Sequence, residues 1–137
     1  MKNLAQTFLV AVALCFPALA ASKVTPLSDQ VISAKSIYLV NQTGNQAVLD
    51  TANDEFTKWG RFKMAKAKDD ADLIVVFSHN NGLDKWGNVG VTKMEVFVKG
   101  NNEAAFTATS ALKLIKVSQH PTKACVADLR KRLEPKN

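Results

Sequence analysis

The sequence predicts an α+β fold, a two-layer sandwich in which two main helices cover a mixed sheet of four to five strands. Two observations support this prediction. Short apolar runs rich in β-branched residues alternate with two amphipathic stretches, in the order β-α-β-β-β-β-α. The most apolar run after the N-terminal region is Leu73–Phe77, five residues without a polar interruption, which is typical of a central strand covered on both faces.

The first strand and the first main helix follow one another from residue 36. Ser36–Asn41 is short, rich in β-branched and aromatic residues and apolar on both faces, which predicts a strand inside the sheet. After the loop Asn41–Gln46, apolar residues recur at helical spacing, and Gly60 stands where the helix would end. The stripe that predicts this helix consists of Val48, Ala52, Phe56 and Trp59.

Four segments lead through the centre of the predicted sheet. Arg61–Ala65 is predicted to be a short second strand, and Lys66–Asp72 a polar link rich in lysine and aspartate. Leu73–Phe77 is the third strand. Ser78–Gly90 is predicted to be a loop, because glycine, asparagine and aspartate recur in it.

The next strand alternates between apolar and polar residues, which predicts an antiparallel strand with one wet face. Gly100–Asn102 is a predicted hairpin turn into a weaker strand over Ala104–Leu112. Pro121–Leu133 is the last helix, with a proline well placed in its first turn. The two sides of the alternating strand carry Thr92, Met94, Val96 and Val98 on one face and Lys93, Glu95, Phe97 and Lys99 on the other.

The sequence leaves open which element buries the second face of the central strand. Leu73–Phe77 is apolar on both faces, whereas the two main helices can both lie on one face. Two answers are open at the level of sequence: the segment Leu27–Ile32 covers the second face, or a second subunit covers it. The second answer makes a homodimer one of the expected assemblies.

The first 21 residues predict a secretory signal. Lys2 supplies a positive start, Leu4–Leu19 is an almost continuous apolar run, and Ala18–Ala20 has the small-x-small pattern of a cleavage site. The run is too short for a membrane span, although an uncleaved anchor remains the alternative. We therefore expect an exported protein, periplasmic or extracellular. The predicted divisions are a signal over 1–21, an N-terminal segment over 22–35 and one α+β domain over 36–134.

The two cysteines separate into different parts of the chain. Cys15 lies inside the predicted signal, and Leu14 before it is not the small residue that a lipid attachment site requires, which argues against stable membrane anchoring. Cys125 is then the lone cysteine of the mature chain, so an intrachain disulfide is excluded there. We expect Cys125 to be a buried small hydrophobe, with an intermolecular disulfide as the alternative.

The charge balance is basic but dispersed. The formal net charge is +6, which favours attraction to polyanions such as acidic envelope polymers. Basic residues are grouped only at Lys63, Lys66 and Lys68 and at Arg130–Arg132. Neither group is interleaved with aromatic residues, which argues against a nucleic acid partner and favours solvated faces.

Candidate chemistry concentrates in the predicted loop Ser78–Gly90. His79 and Asp84 follow a buried strand, where ligand sites of sheets often lie. Trp86 is an aromatic residue with no evident core role, so it serves recognition or folds over the sheet edge. Asp69–Asp72 lacks the closing glutamate of a calcium loop. No motif for catalysis, a metal or another cofactor is present, so we expect none of these cofactors.

Two short motifs and the last helix carry a family resemblance. Lys58–Phe62 reads KWGRF, Ala71–Val75 reads ADLIV, and the helix Cys125–Leu133 closes the domain. In this respect the chain resembles small exported bacterial proteins of uncharacterised function with an accessory-lipoprotein-like α/β domain. The resemblance implies an envelope location and an α/β fold. It transfers no catalytic residue.

Three functions are compatible with these observations. The first is a non-enzymatic periplasmic or secreted module that binds another envelope protein or polymer, with Trp86 in the contact. The second is a small hydrolase or metal-dependent enzyme that uses the Ser78–Gly90 loop with His79 and Asp84. The third is a polyanion-binding basic protein that uses the two lysine and arginine groups.

Overall fold

The computed structural model describes residues 25–80, 91–111 and 120–136, and over these ranges the fold is the predicted two-layer α+β arrangement. A five-stranded sheet is accompanied by three helices and one 3₁₀ turn. The elements are α1 (Asp29–Ser33), β1 (Ser36–Asn41), α2 (Gln46–Trp59), β2 (Lys63–Met64), the 3₁₀ turn (Lys68–Asp70), β3 (Leu73–Asn80), β4 (Val91–Val98), β5 (Ala104–Ala111) and α3 (Pro121–Leu133).

The sheet is mixed, in the order β2-β1-β3-β4-β5. β1 runs parallel to both β2 and β3. The connection from β1 to β2 contains α2, which is long enough to join parallel strands. β4 and β5 continue the sheet as antiparallel neighbours. The interior position that the two apolar faces of β1 predict is confirmed.

The main helices begin and end where their terminal residues dictate. The side chain of Asn45 accepts a hydrogen bond from the backbone N–H of Ala47 at 3.0 Å, which satisfies one free donor at the start of α2. Gly60 ends α2 at φ +71°, a conformation that disfavours other residues. Pro121 opens α3, where a missing N–H costs nothing. Among the described residues, no helix has the length and apolar character needed to cross a membrane.

Two predicted boundaries are wrong. β3 continues three residues beyond Phe77, so the predicted loop Ser78–Gly90 begins too early. The extension is polar but pairs with β4, and hydrogen-bond pairing leaves no trace in an apolar pattern. β2 has two residues instead of the five of Arg61–Ala65, because Phe62 turns into the core and packs edge-on against the Trp59 ring.

One face of the sheet holds the core. Its inward residues form one cluster with residues of all three helices, α1 included through the fully buried Val31. Leu27 packs against the same cluster. The segment Leu27–Ile32 therefore does not cover the second face, and the first of the two answers given above is wrong. The inward strand residues are Ile37, Leu73, Val75, Phe77, Met94, Val96 and Ala108.

Asp72 links the start of β3 to the start of β1. The backbone N–H groups of Lys35 and Ser36 donate to its Oδ2 at 2.9 and 3.0 Å. In return, the backbone N–H of Asp72 donates to Ser36 Oγ at 3.0 Å. The hydrogen bond from the Lys35 backbone is the main reason why the pKa of Asp72 lies below its ordinary value.

We expect Asp72→Asn to lower the free energy of unfolding by about 1 kcal/mol at neutral pH, because two backbone donors lose a charged acceptor at an exposed site. Since folding lowers the pKa of Asp72, its contribution is present above the ordinary value of 3.8 and is lost as pH falls through the folded pKa. Urea unfolding at neutral and acidic pH measures this. Asp54→Asn on exposed α2 is the control, and an undiminished difference in acid would contradict the account.

Cys125 lies in the interface between α3 and the sheet and is fully buried. Its thiol donates long hydrogen bonds to the carbonyl oxygens of Thr92 at 3.6 Å and Ala108 at 3.8 Å. Burial, followed by the charge of Asp128, raises the pKa of this thiol to about 11. The interpretation of Cys125 as a buried small hydrophobe is confirmed.

We expect Cys125 to resist thiol reagents in the native protein near pH 8, because the thiol is both buried and protonated there. The same reagent should label it rapidly in denaturant. Mass spectrometry after timed labelling makes the comparison, and the labelling rate then reports unfolding. Equal rates with and without denaturant would show that the thiol is accessible.

Candidate binding face

Of the three residues that the sequence predicts as a site, His79 is the one that lies within the described structure. Asp84 and Trp86 lie in 81–90, outside the described residues. His79 lies near the end of β3 rather than in a loop, paired with Thr92 of β4 and exposed. Within 25–80, 91–111 and 120–136, no group of three or more His, Cys, Asp and Glu side chains is placed to hold a metal ion.

We expect His79→Ala to change the free energy of unfolding by no more than about 0.5 kcal/mol, because the side chain is exposed at a strand end. Thermal melts with and without added Zn²⁺ check this. The metal-dependent enzyme hypothesis predicts instead that Zn²⁺ raises the Tm of the wild-type chain and that this rise disappears in the variant.

The sheet face opposite the helices, which we call the open face, is apolar at its centre. Strand pairing places Tyr38 beside Ile74, and Ile74 beside Phe97, so three apolar side chains form a row across β1, β3 and β4. The next row contains Val40 and Val76. The open face therefore carries the apolar residues that the helices leave uncovered.

The row is shielded unevenly. Ile74 retains only 6 % of its exposure, although no described helix covers it, and Tyr38 and Phe97 flank it in the row. Tyr38, Val40, Val76 and Phe97 are half-buried. The row therefore has an aliphatic side chain at its centre and an aromatic side chain on each side, and interface cores are enriched in aromatic residues.

A groove of about 350 Å³ extends from this row towards the β4–β5 turn. Ile74, Val76 and Phe97 form its apolar side. Lys68, from the 3₁₀ turn, and Asn102, from the hairpin turn, also line it. The groove therefore combines apolar side chains with a cation and an amide.

The open face carries charged residues beside its apolar rows as well as at its margin. Glu95 of β4 is the register partner of Val76, and it forms an ion pair with Lys93 at 2.7 Å. Lys63 on β2 and Lys68 on the 3₁₀ turn are exposed, and neither forms an ion pair with another of the described residues. Lys68 is the cation that lines the groove directly.

The second basic group is held by contacts of its own. Arg130 lies 3.6 Å from Glu134, and Arg61 lies 3.5 Å from the same carboxylate. Trp59 Nε1 donates to Glu134 at 2.9 Å, and this bond is the main reason why the pKa of Glu134 is lowered. Arg132 donates to the carbonyl oxygen of Thr25. These residues fasten α3 to α2 and to the N-terminal segment.

The open face was not recognised as a site from the sequence, although a signal for it was present. β1 is apolar on both sides and β3 has no polar residue from Leu73 to Phe77. Half of those residues had to lie on the face away from the helices. The pattern was interpreted as a requirement for cover rather than as a surface.

No family model matches the chain, and no curated protein matches it. Among solved structures, the chain is similar to a PelC dodecamer from Paraburkholderia phytofirmans, at 16 % identity and a TM-score of 0.45, over 82 % of this chain and 96 % of that chain. A variant of the PelC dodecamer from the same organism gives 12 % identity and a TM-score of 0.43, over 82 % and 95 %. Likeness at this level assigns neither a family nor a function to this chain.

Proposed function

We propose that this chain is an exported, non-enzymatic binding module whose open face contacts another envelope protein. The observation that carries the proposal is the apolar row Tyr38–Ile74–Phe97 on the face that the described helices leave uncovered. The partner surface is apolar at its centre and acidic at its edge. Lys68 is the cation that such an edge would meet.

The composition of the open face supports a protein partner. An interface core is depleted in charge and enriched in aromatic residues, with polar groups at its rim. Tyr38, Ile74 and Phe97 provide such a core, and the Lys93–Glu95 ion pair lies beside it on β4.

Export is the second part of the proposal. The predicted signal over 1–21 and the resemblance of KWGRF and ADLIV to small exported bacterial proteins support it. An exported chain meets envelope components as partners. The module would then act by holding a partner rather than by transforming a substrate.

A polyanion is less well supported as the partner. Binding to a polyanion depends on several cations that are free to neutralise successive charges. Arg130 and Arg61 share Glu134, and Arg132 is engaged with Thr25. Asp70 lies beside Lys63 and Lys66 in one small groove, which reduces the positive potential there.

Site-specific photocrosslinking in exporting cells tests the proposed face. A photoreactive amino acid at Phe97 or Val40 should yield one adduct of defined mass with a second protein, and the same probe at exposed Asp50 on α2 should not. Adducts that are equally frequent at all three positions would overturn the assignment. An adduct of twice the chain's own mass would identify a second copy on this face instead.

Two substitutions should weaken that adduct without unfolding the chain. Phe97→Thr removes aromatic area from a strand position that tolerates threonine, and Lys68→Glu reverses the charge at the groove. We expect at least about a tenfold loss of captured partner for each, which corresponds to about 1.4 kcal/mol.

The chain offers a matched control for each substitution. Ile32→Thr removes an apolar residue that is 49 % exposed on α1, and Lys136→Glu reverses an exposed charge near the C-terminus. Neither should affect capture. Salt-sensitive retention on an anionic polymer that weakens when Lys63, Lys66 and Lys68 are neutralised would favour the polyanion function over ours.

A further inference from the structure

We infer that the outer edge of β5 is a pairing site for a second copy of this chain, which joins two sheets into one through antiparallel β5 strands. This inference concerns a different surface from the open face and does not depend on the proposed function. In the part of the chain that the structure describes, β5 is the last strand of the sheet, and its outer backbone groups have no strand partner.

The two edges of the sheet differ in how they are protected. β2 is two residues long and carries Lys63, and short, charged edge strands resist pairing. β5 is eight residues long, Ala104–Ala111, and contains no charged residue and no proline. An edge of this length and composition is a template for another strand.

A groove follows β5 among the described residues. It has a volume of about 630 Å³ and runs along residues 105–109, between the strand, the C-terminal half of α3 and the segment Thr25–Pro26. Thr107 and Thr109 are exposed on the open-face side, and Phe106 is half-buried on the other side. Pairing would complete the cover of Phe106.

The sequence of β5 specifies a self-complementary register. It reads AAFTATSA, and a two-fold axis through Ala108 places each Thr107 opposite Thr109 of the second copy. Threonine pairs across antiparallel strands are favourable. The same axis places the small residue Ser110 opposite the large residue Phe106, so two large side chains do not lie opposite each other.

The charges near the edge are compatible with a second copy. β5 has no charged side chain, so two paired β5 strands place no like charges opposite one another, although the chain has a net charge of +6. The groove contains Asp128 together with Lys131 and Arg132. In an isologous interface the same surface of both copies is in contact, so each copy presents acidic and basic side chains to the other.

Sedimentation of the purified protein over a range of concentrations tests the pairing. We expect a species of twice the monomer mass. Thr107→Lys combined with Thr109→Lys should raise the dissociation constant by at least about tenfold, since lysines would then face lysines across the edge. Thr57→Lys, on an exposed position of α2, is the matched control. Thermal melts establish that each variant folds.

Cysteine crosslinking reads the register directly. Opposed Cα atoms in antiparallel strands lie about 4.5–5.5 Å apart, within disulfide range, whereas positions displaced by two residues do not. A mixture of Thr107→Cys and Thr109→Cys chains should therefore crosslink on oxidation, and each variant alone should not. The unsubstituted chain is the background control, because Cys125 is buried.

Three outcomes would overturn the inference. They are a wild-type chain that stays monomeric at all concentrations, a dimer that the lysine pair does not weaken, and crosslinking of Thr107→Cys alone as strong as in the mixture. The first would leave the edge to a strand of another protein. The second would move the contact to another surface, and the third would reject the two-fold axis at Ala108.

Discussion

All three helices pack on the same face of the sheet, and the other features of the structure depend on this one-sided burial. Fully burying a large apolar side chain contributes about 1.5–3 kcal/mol. The cluster around Phe56, Leu73, Val75 and Phe77 is fully buried between the layers. It therefore fixes β3 as the centre of the sheet. The same arrangement leaves Tyr38, Ile74 and Phe97 on a face that none of the described helices covers, so the candidate binding face follows directly from the way the core is built.

Polar contacts at the periphery of the core hold the helices and strands in their relative positions. Asp72 ties the start of β3 to the α1–β1 connection by accepting two backbone hydrogen bonds. Trp59 and Arg61, both from the KWGRF motif, meet Glu134 beyond the end of α3. Phe62 of the same motif packs against the Phe56 and Trp59 rings. The KWGRF motif thus holds α2, α3 and the core of the sheet together.

Much of the fold was predictable because it rests on local patterns. The stripe of Val48, Ala52 and Phe56 and the terminal Gly60 define α2 as the structure has it, and the alternation of β4 identifies its inward side. The predicted ends of β2 and β3 are wrong, because the packing of Phe62 in the core shortens β2 and pairing with β4 extends β3. The candidate site was predictable only in part. His79 is placed at a strand end with no cluster of metal-ligating residues among the described residues, whereas the row across the open face combines three strands distant in the sequence.

The sequence by itself determined which segments become strands and helices and which side of each helix is apolar. It did so because hydrophobic periodicity records the local geometry of each element. Only the tertiary structure decided that the helices share one face, that Val31 joins them there, and that Tyr38, Ile74 and Phe97 stand side by side. It also decided that β5 is the last strand of the sheet within the described part of the chain. These are relations between distant segments, and a local period contains no information about which neighbour covers a face or where the sheet ends.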